Sequence, residues 1–434
     1  MKRRELLNRS FWLGAAALSL PTTRLFAADD GYAGPLLAVF QADGGWDVTS
    51  YCDPKVNVSG QPDITNWSST SGIQTAGNIA YAPFGNNAWF FDKYMNDMVV
   101  INGVDAQTNS HTTGVLHNWS GRNARGFPTI TAMFAAHQAS TLPLAYINYG
   151  GFGDTANLIR FSRLNDVNSL RQLLNTNQRA WDPTQTDRNP DDMARIRAFR
   201  RARNARMLDD EALLARTRDN LQAYDSALAA AGELERFADF VPDDADVLPR
   251  VTVNPEIDSN LPQQVQLTAA AFEAGVASAA DLILSGFDTH QNHDSLHEPL
   301  LSHLNEGIDL LWTMAEARGF AERLTVVIGS DFARTPRYNA DNGKDHWPIG
   351  SVIVMQKNAI WGNRQVGFTD EGHNAFGMDP ATLQVDETNG TIIYPKHVHK
   401  ALRRLLGVEG TAVESGLEFR TTEDFGFFNP SVSR

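Results

Sequence analysis

Apolar residues along this 434-residue chain gather into short runs, each ending in polar or glycine-rich sequence: 36–40, 98–101, 144–147, 282–284, 324–328 and 352–355. Runs of this length bounded by turn residues read as buried strands. Helical spacing lies between several of them. The clearest case is 296–318, where Leu300, Leu304, Ile308, Leu311 and Ala315 share one face and Gly319 closes the pattern. Strands alternating with helices predict an α/β fold, a mostly parallel sheet with helices on both faces, whose sites form beyond the carboxyl ends of the strands.

The stretch 157–248 differs. It has no strand-like run and is rich in Arg, Ala, Leu and Asp, which predicts helical hairpins inserted between two strands. Its basic cluster from Arg195 to Arg206 reads as a solvated helix surface balanced by Asp191, Asp192, Asp209, Asp210 and Glu211. The segment 241–255, with three prolines, reads as the linker back into the sheet.

Residues 1–28 combine a basic start, ten apolar-leaning residues over 11–20, Pro21 and the small pair Ala27 and Ala28, the layout of a cleaved signal peptide. Arg3 and Arg4 followed by Glu5, Leu6 and Leu7 resemble a bacterial twin-arginine export signal. The expected location is periplasmic or extracellular, with 29–434 as the mature α/β domain. The apolar run is half the roughly 20 residues that a spanning helix needs, so no stable membrane span is expected after cleavage.

A hydrophobic share of 42% against 20% charged residues suits a globular domain. The net charge of −14 argues against a nucleic-acid partner, which needs a basic stripe. Cleavage after Ala27 would remove five basic residues and one acidic residue, taking the net charge to −18. With one cysteine, Cys52, there is neither an intramolecular disulfide nor a thiolate zinc site, so any metal must use His, Asp or Glu.

Such residues follow the predicted strands. Asp43 and Asp47 flank the Gly44-Gly45 turn after the first, and either can bind a cation, although Asp also forms turns. Asn109 or Ser110 caps a helix carrying His111 and His117, where helix N–H groups favour an anion. Asp288 and His290, two apart just past the fourth strand, can point at one zinc or manganese ion, with His293 and His297 flanking. Past the fifth strand come Asp331, Arg334, Asp345 and His346. Acids and histidines at four strand ends together predict a metal site.

The pattern resembles the alkaline phosphatase and sulfatase superfamily, and within it an exported bacterial branch known mainly as a domain of unknown function. The resemblance rests on the GGxD turn at 44–47, Ser110-His111 with Trp119-Ser120-Gly121, GFDTH at 286–290, SDFART at 330–335, KDHW at 344–347 and the closing segment 391–409. It implies one or two divalent ions, zinc or manganese, with Asp47 and Asp331 serving one and Asp288, His290 and His346 the other. It further implies Arg334 on the substrate's anionic oxygens and a nucleophile at Ser110 or at His111, where the family's spacing back from Gly121 lands. Three features depart from the pattern: Phe332 replaces a metal-binding His, Asp288 and His290 are closer than usual, and Cys52 begins a sulfatase-like motif that Val56 breaks.

The function expected from the resemblance is two-metal hydrolysis of phosphate or sulfate esters, on a small anionic ester or a cell-surface polymer. The alternative is a non-catalytic member of the fold that binds such a polymer or a protein.

Overall fold

A computed structural model of the chain describes residues 31–430, apart from Asn165, Asn175, Thr176, Ala180 and Trp181. The predicted signal peptide lies outside the described residues. Eight strands build the central sheet: β1 (Leu36–Asp43), β2 (Met98–Asp105), β3 (Tyr146–Asn148), β4 (Ser162–Arg163), β5 (Ala279–Ser285), β6 (Leu324–Ser330), β7 (Ile349–Gln356) and β8 (Arg364–Val366). Their spatial order is β8-β2-β7-β6-β1-β5-β3-β4.

Every pairing is parallel except those of β7, which runs antiparallel to β6 and β2. The apolar run at 352–355 thus forms a strand, but in the opposite sense to its neighbours. The chain between β6 and β7 holds no crossover helix, and a parallel return requires one. Reversal brings the start of β7, and His346 just before it, to the edge where the parallel strands end.

β1 is apolar from Leu36 to Phe40 because helices cover both faces. Leu36, Ala38 and Phe40 join the core with Leu261, Val265, Leu300 and Leu304. The alternate residues Leu37 and Val39 join Met133, Phe134, Val398 and Leu402 on the other face. The covering helices are α1 (Asn87–Tyr94), α2 (His111–Ser120), α3 (Ile130–Ala139), α7 (Leu261–Glu273), α8 (His293–Arg318) and α9 (Pro395–Leu405). α8 buries Leu296, Leu300, Leu304, Ile308, Leu311 and Ala315, and Gly319 caps it at φ +79°.

Over 157–248 the chain forms α4 (Val167–Leu174), α5 (Pro190–Leu208) and α6 (Ala215–Phe237). It also holds strands that the apolar pattern misses: β4, and a hairpin pairing Gln178–Arg179 with Asp182–Thr186. The hairpin residues are polar, so no hydrophobic run marks them. The segment read as a linker holds Val251–Asn254, paired with Ile257–Ser259. Among the described residues, no helix is long and apolar enough to cross a membrane.

Candidate metal centre

Register places the chemistry at one edge. Ala42 pairs with Ser330 and Asp43 with Ser285, so the segments leaving β1, β5 and β6 emerge side by side. The Gly44-Gly45 turn has φ of +116° and +86°, and a Cβ on Gly44 would stand 2.6 Å from Asp288 N. Only glycine permits both the backbone and the approach. On the other side α2 packs against the turn after β6, where a Cβ on Gly114 would stand 2.5 Å from the Asp331 carbonyl oxygen.

Three imidazoles converge on Asp288. Its Oδ1 lies 3.0 Å from His290 Nε2, 3.3 Å from His346 Nε2 and 3.5 Å from His111 Nε2, while the Nε2 atoms of His290 and His346 are 2.9 Å apart. Each ring is fixed from behind through Nδ1. His346 donates to the Asn109 carbonyl at 2.7 Å, His290 to Asp345 Oδ1 at 2.9 Å, and His111 to Asp331 Oδ2. A carbonyl or an ionised carboxylate can only accept, so each Nδ1 carries a proton and Nε2 is the ring atom left facing Asp288. Second-shell oxygens orient metal-bound histidines in this way.

The residues fit a divalent cation. Donors tetrahedrally placed at 2.0–2.2 Å from zinc lie about 3.3 Å from one another, which matches the separations above. His111 Nε2 is buried and has no hydrogen-bond partner, an orphan that a cation would satisfy. Asp43, Asp288, Asp331 and Asp345 outnumber the single guanidinium of Arg334, an acidic surplus that suits a cation. Access is open, since the side chains of Asp288 and His290 are 49% and 45% exposed.

The electrostatics follow the contacts. The bond to Asp331 raises the His111 pKa against the effect of burial. Burial would raise Asp288, but Arg334 and the facing histidines outweigh it and hold this carboxyl below its usual range. Asp43 goes the other way: burial raises it, Ser285 opposes, and the nearby charges of Asp331 and Asp288 add to the rise.

Of the residues expected to bind metal, Asp288, His290 and His346 come together, with His111 as a further member. Asp331 does not face the cluster; it stands behind His111 and accepts from Ser330 Oγ at 2.9 Å. Asp47 is elsewhere, fully buried. Its Oδ2 takes Lys344 Nζ at 2.8 Å and His293 Nε2 at 3.1 Å, and its Oδ1 takes the Thr49 N–H and hydroxyl at 3.0 and 2.6 Å. A lysine ammonium thus supplies the charge that a second metal was expected to supply. The ligand atoms of His111, Asp288 and His346 all lie within 4.8 Å of one another, and His290 Nε2 joins them through Asp288 and His346.

Arg334, expected on the substrate's anionic oxygens, has no exposed side-chain surface. Its guanidinium lies against Gly45 O at 2.9 Å, Lys344 O at 3.1 Å, Gly44 O, Asp288 Oδ1 at 2.5 Å and His290 Nε2 at 3.4 Å. Phe332 lines the site, its ring centre 4.7 Å from those of His111 and His346. Ser110 is exposed at the N-cap of α2, with no side-chain capping bond. Cys52 is buried, and burial raises its thiol pKa. Lys344 and Thr289 went unremarked in the sequence, where neither stands at a strand end with metal-ligand spacing; KDHW placed Lys344 two residues from His346.

Residues 44–397 match the family model described as "Protein of unknown function (DUF1501)". The chain belongs to the DUF1501 family. No curated protein matches the sequence. Among solved structures the chain is similar to the PsFucS1 sulfatase from Pseudoalteromonas sp., at 12% identity and a TM-score of 0.35 over 87% of this chain and 68% of that one. It is also similar to the lipoteichoic acid synthase LtaP from Listeria monocytogenes, at 9% identity and 0.34 over 92% and 75%. A putative sulfatase from Bacteroides thetaiotaomicron matches at 8% identity and 0.33 over 90% and 76%. Likeness this distant says nothing of what a DUF1501 chain binds or turns over.

Proposed function

We propose that this chain is an exported hydrolase of phosphate or sulfate esters that works with one divalent cation, zinc or manganese, held by His111, Asp288, His290 and His346. The observation that carries this reading is the convergence of three Nε2 atoms on Asp288 Oδ1, each ring oriented by an oxygen behind it. A cation bound there supplies Lewis-acid stabilisation to the oxygens of the ester.

The chain's own residues supply the rest. Ser110 is the nucleophile, its uncapped hydroxyl beside His111 at the start of α2, where the first helix N–H groups favour an anionic oxygen. Phe332 packs against the His111 and His346 rings and keeps them in place. The substrate is a small anionic ester or a cell-surface polymer bearing one.

Elemental analysis of mature protein, with turnover of aryl phosphate and aryl sulfate esters, tests this. About one equivalent of zinc or manganese is expected in wild type, falling in Asp288→Ala together with turnover. Folded, metal-free wild type would sink the reading. Export is tested by changing Arg3 and Arg4 to Lys, which should keep the chain in the cytoplasm.

The burial of Arg334 favours a second reading, a binding member of the fold without turnover, because that arginine leaves no grip for an anion. Tight metal binding with no turnover of either ester class would select it.

A further inference from the structure

A second, fully buried polar cluster lies directly beneath the candidate metal centre. Asp47 N–H donates to His297 Nε2 at 2.8 Å. His297 Nδ1 is 3.0 Å from Thr289 Oγ1, which is 2.7 Å from His293 Nδ1, and His293 Nε2 is 3.1 Å from Asp47 Oδ2. The contacts close a ring.

Each proton in this ring has one consistent place. The Asp47 N–H can only donate, so His297 Nε2 holds a lone pair and its Nδ1 carries hydrogen, donated to Thr289 Oγ1. The Asp47 carboxylate can only accept, so His293 Nε2 carries hydrogen and its Nδ1 receives the Thr289 hydroxyl proton. The two imidazoles therefore take opposite tautomers. They stack with ring centres 4.4 Å apart at 24°, and the lysine at Asp47 makes positive charge on either ring unfavourable.

Thr289 stands between Asp288 and His290. Its neighbours are held in tight turns, with Thr289 N–H donating to Phe287 O at 2.9 Å and His290 N–H to Asp288 O at 3.2 Å. The Thr289 carbonyl accepts from Lys344 N at 3.1 Å, and the Lys344 ammonium returns to Asp47 and to Thr49 Oγ1 at 3.0 Å. The threonine side chain points into the ring while those on either side face the cation site. Lys344 ties the segment carrying Asp345 and His346 to the same anchor.

We propose that the Asp47-His297-Thr289-His293 ring is a positioning device: it sets the direction of Asp288 and His290, and through Lys344 that of His346, and so preorganises the site for its cation. Thr289 is the positioning residue, and Asp47 serves the cation by holding the turn and not by ligation. The inference rests on the cation-site reading above.

The test uses zinc titration of metal-stripped mature protein by calorimetry, and imidazole nitrogen NMR of the wild type. In wild type, His293 should show the Nε2–H tautomer and His297 the Nδ1–H tautomer; one tautomer for both overturns the ring, whatever any variant does. Thr289→Val should fold, by circular dichroism, and bind zinc on the order of tenfold to a hundredfold more weakly, with Thr289→Ser restoring most of the affinity. Should Thr289→Val fail to fold, the tautomers and Thr289→Ser, expected to bind zinc like wild type, still decide. Wild-type zinc affinity in folded Thr289→Val overturns the positioning role and leaves the cation site standing. No zinc binding by folded wild type overturns both.

Discussion

Lys344 Nζ lies 2.8 Å from Asp47 Oδ2, and neither side chain has any exposed surface. Burial pushes the Asp47 carboxyl up, but the ammonium and the two histidines outweigh it and hold the group well below its usual range. Removing one partner of such a pair strands a buried charge, so Lys344→Met should cost about 3–5 kcal/mol at pH 7 in urea unfolding. A carboxyl lowered in the folded state contributes stability that is complete above the unfolded pKa of about 3.9 and lost as pH falls through the folded value. The gap between variant and wild type should therefore shrink in acid. An equal loss at all pH values would assign the effect to packing of the lysine stem.

Asp281, inside β5, behaves in the opposite way. Burial raises its carboxyl to about 7, against bonds from Thr131, Tyr146 and Asn148. Here the folded chain holds its proton longer than the unfolded one, so the contribution is complete below about pH 3.9 and lost as pH rises through 7. Asp281→Asn cannot ionise. Its stability relative to wild type should rise by a few kcal/mol between pH 4 and 7.5, followed by thermal unfolding across that range. A difference independent of pH would show that Asp281 does not titrate there.

Arg334 meets five partners from one planar fork, which an ammonium cannot match. Arg334→Lys should lose about 2–3 kcal/mol of stability through buried acceptors left unpaired. Were the guanidinium gripping substrate instead, the variant would keep its melting temperature and raise KM.

Ser110→Ala separates nucleophile from scaffold. The residue caps α2 without a side-chain bond, so zinc content and stability should stay near wild type. Ester turnover should fall by on the order of 10³. Retained turnover would assign attack to water.

Six of the eight sheet strands were legible because they hold unbroken apolar runs, whereas β4 (Ser162–Arg163) and β8 (Arg364–Val366) hold none. Direction was not: the run at 352–355 looks the same in either sense, and only the missing crossover reverses it. Phe332 looked like a lost ligand. In space the Phe332 ring packs against His111, which is carried by a helix more than 200 residues away in sequence. No local spacing encodes that meeting.

Spacing and residue type were enough to bring Asp288, His290 and His346 forward, since short-range pattern governs which side chains leave a strand end together. The same pattern ranked Asp47 as a ligand and Arg334 as a substrate contact, because an acid in a glycine turn and an arginine after a strand have the right chemistry wherever they point. Burial decided otherwise. A carboxylate or guanidinium withdrawn from water must be satisfied by what surrounds it, and those partners, Lys344 and the His293-Thr289-His297 chain for Asp47, the carbonyls of Gly44, Gly45 and Lys344 for Arg334, are assembled only when distant segments pack.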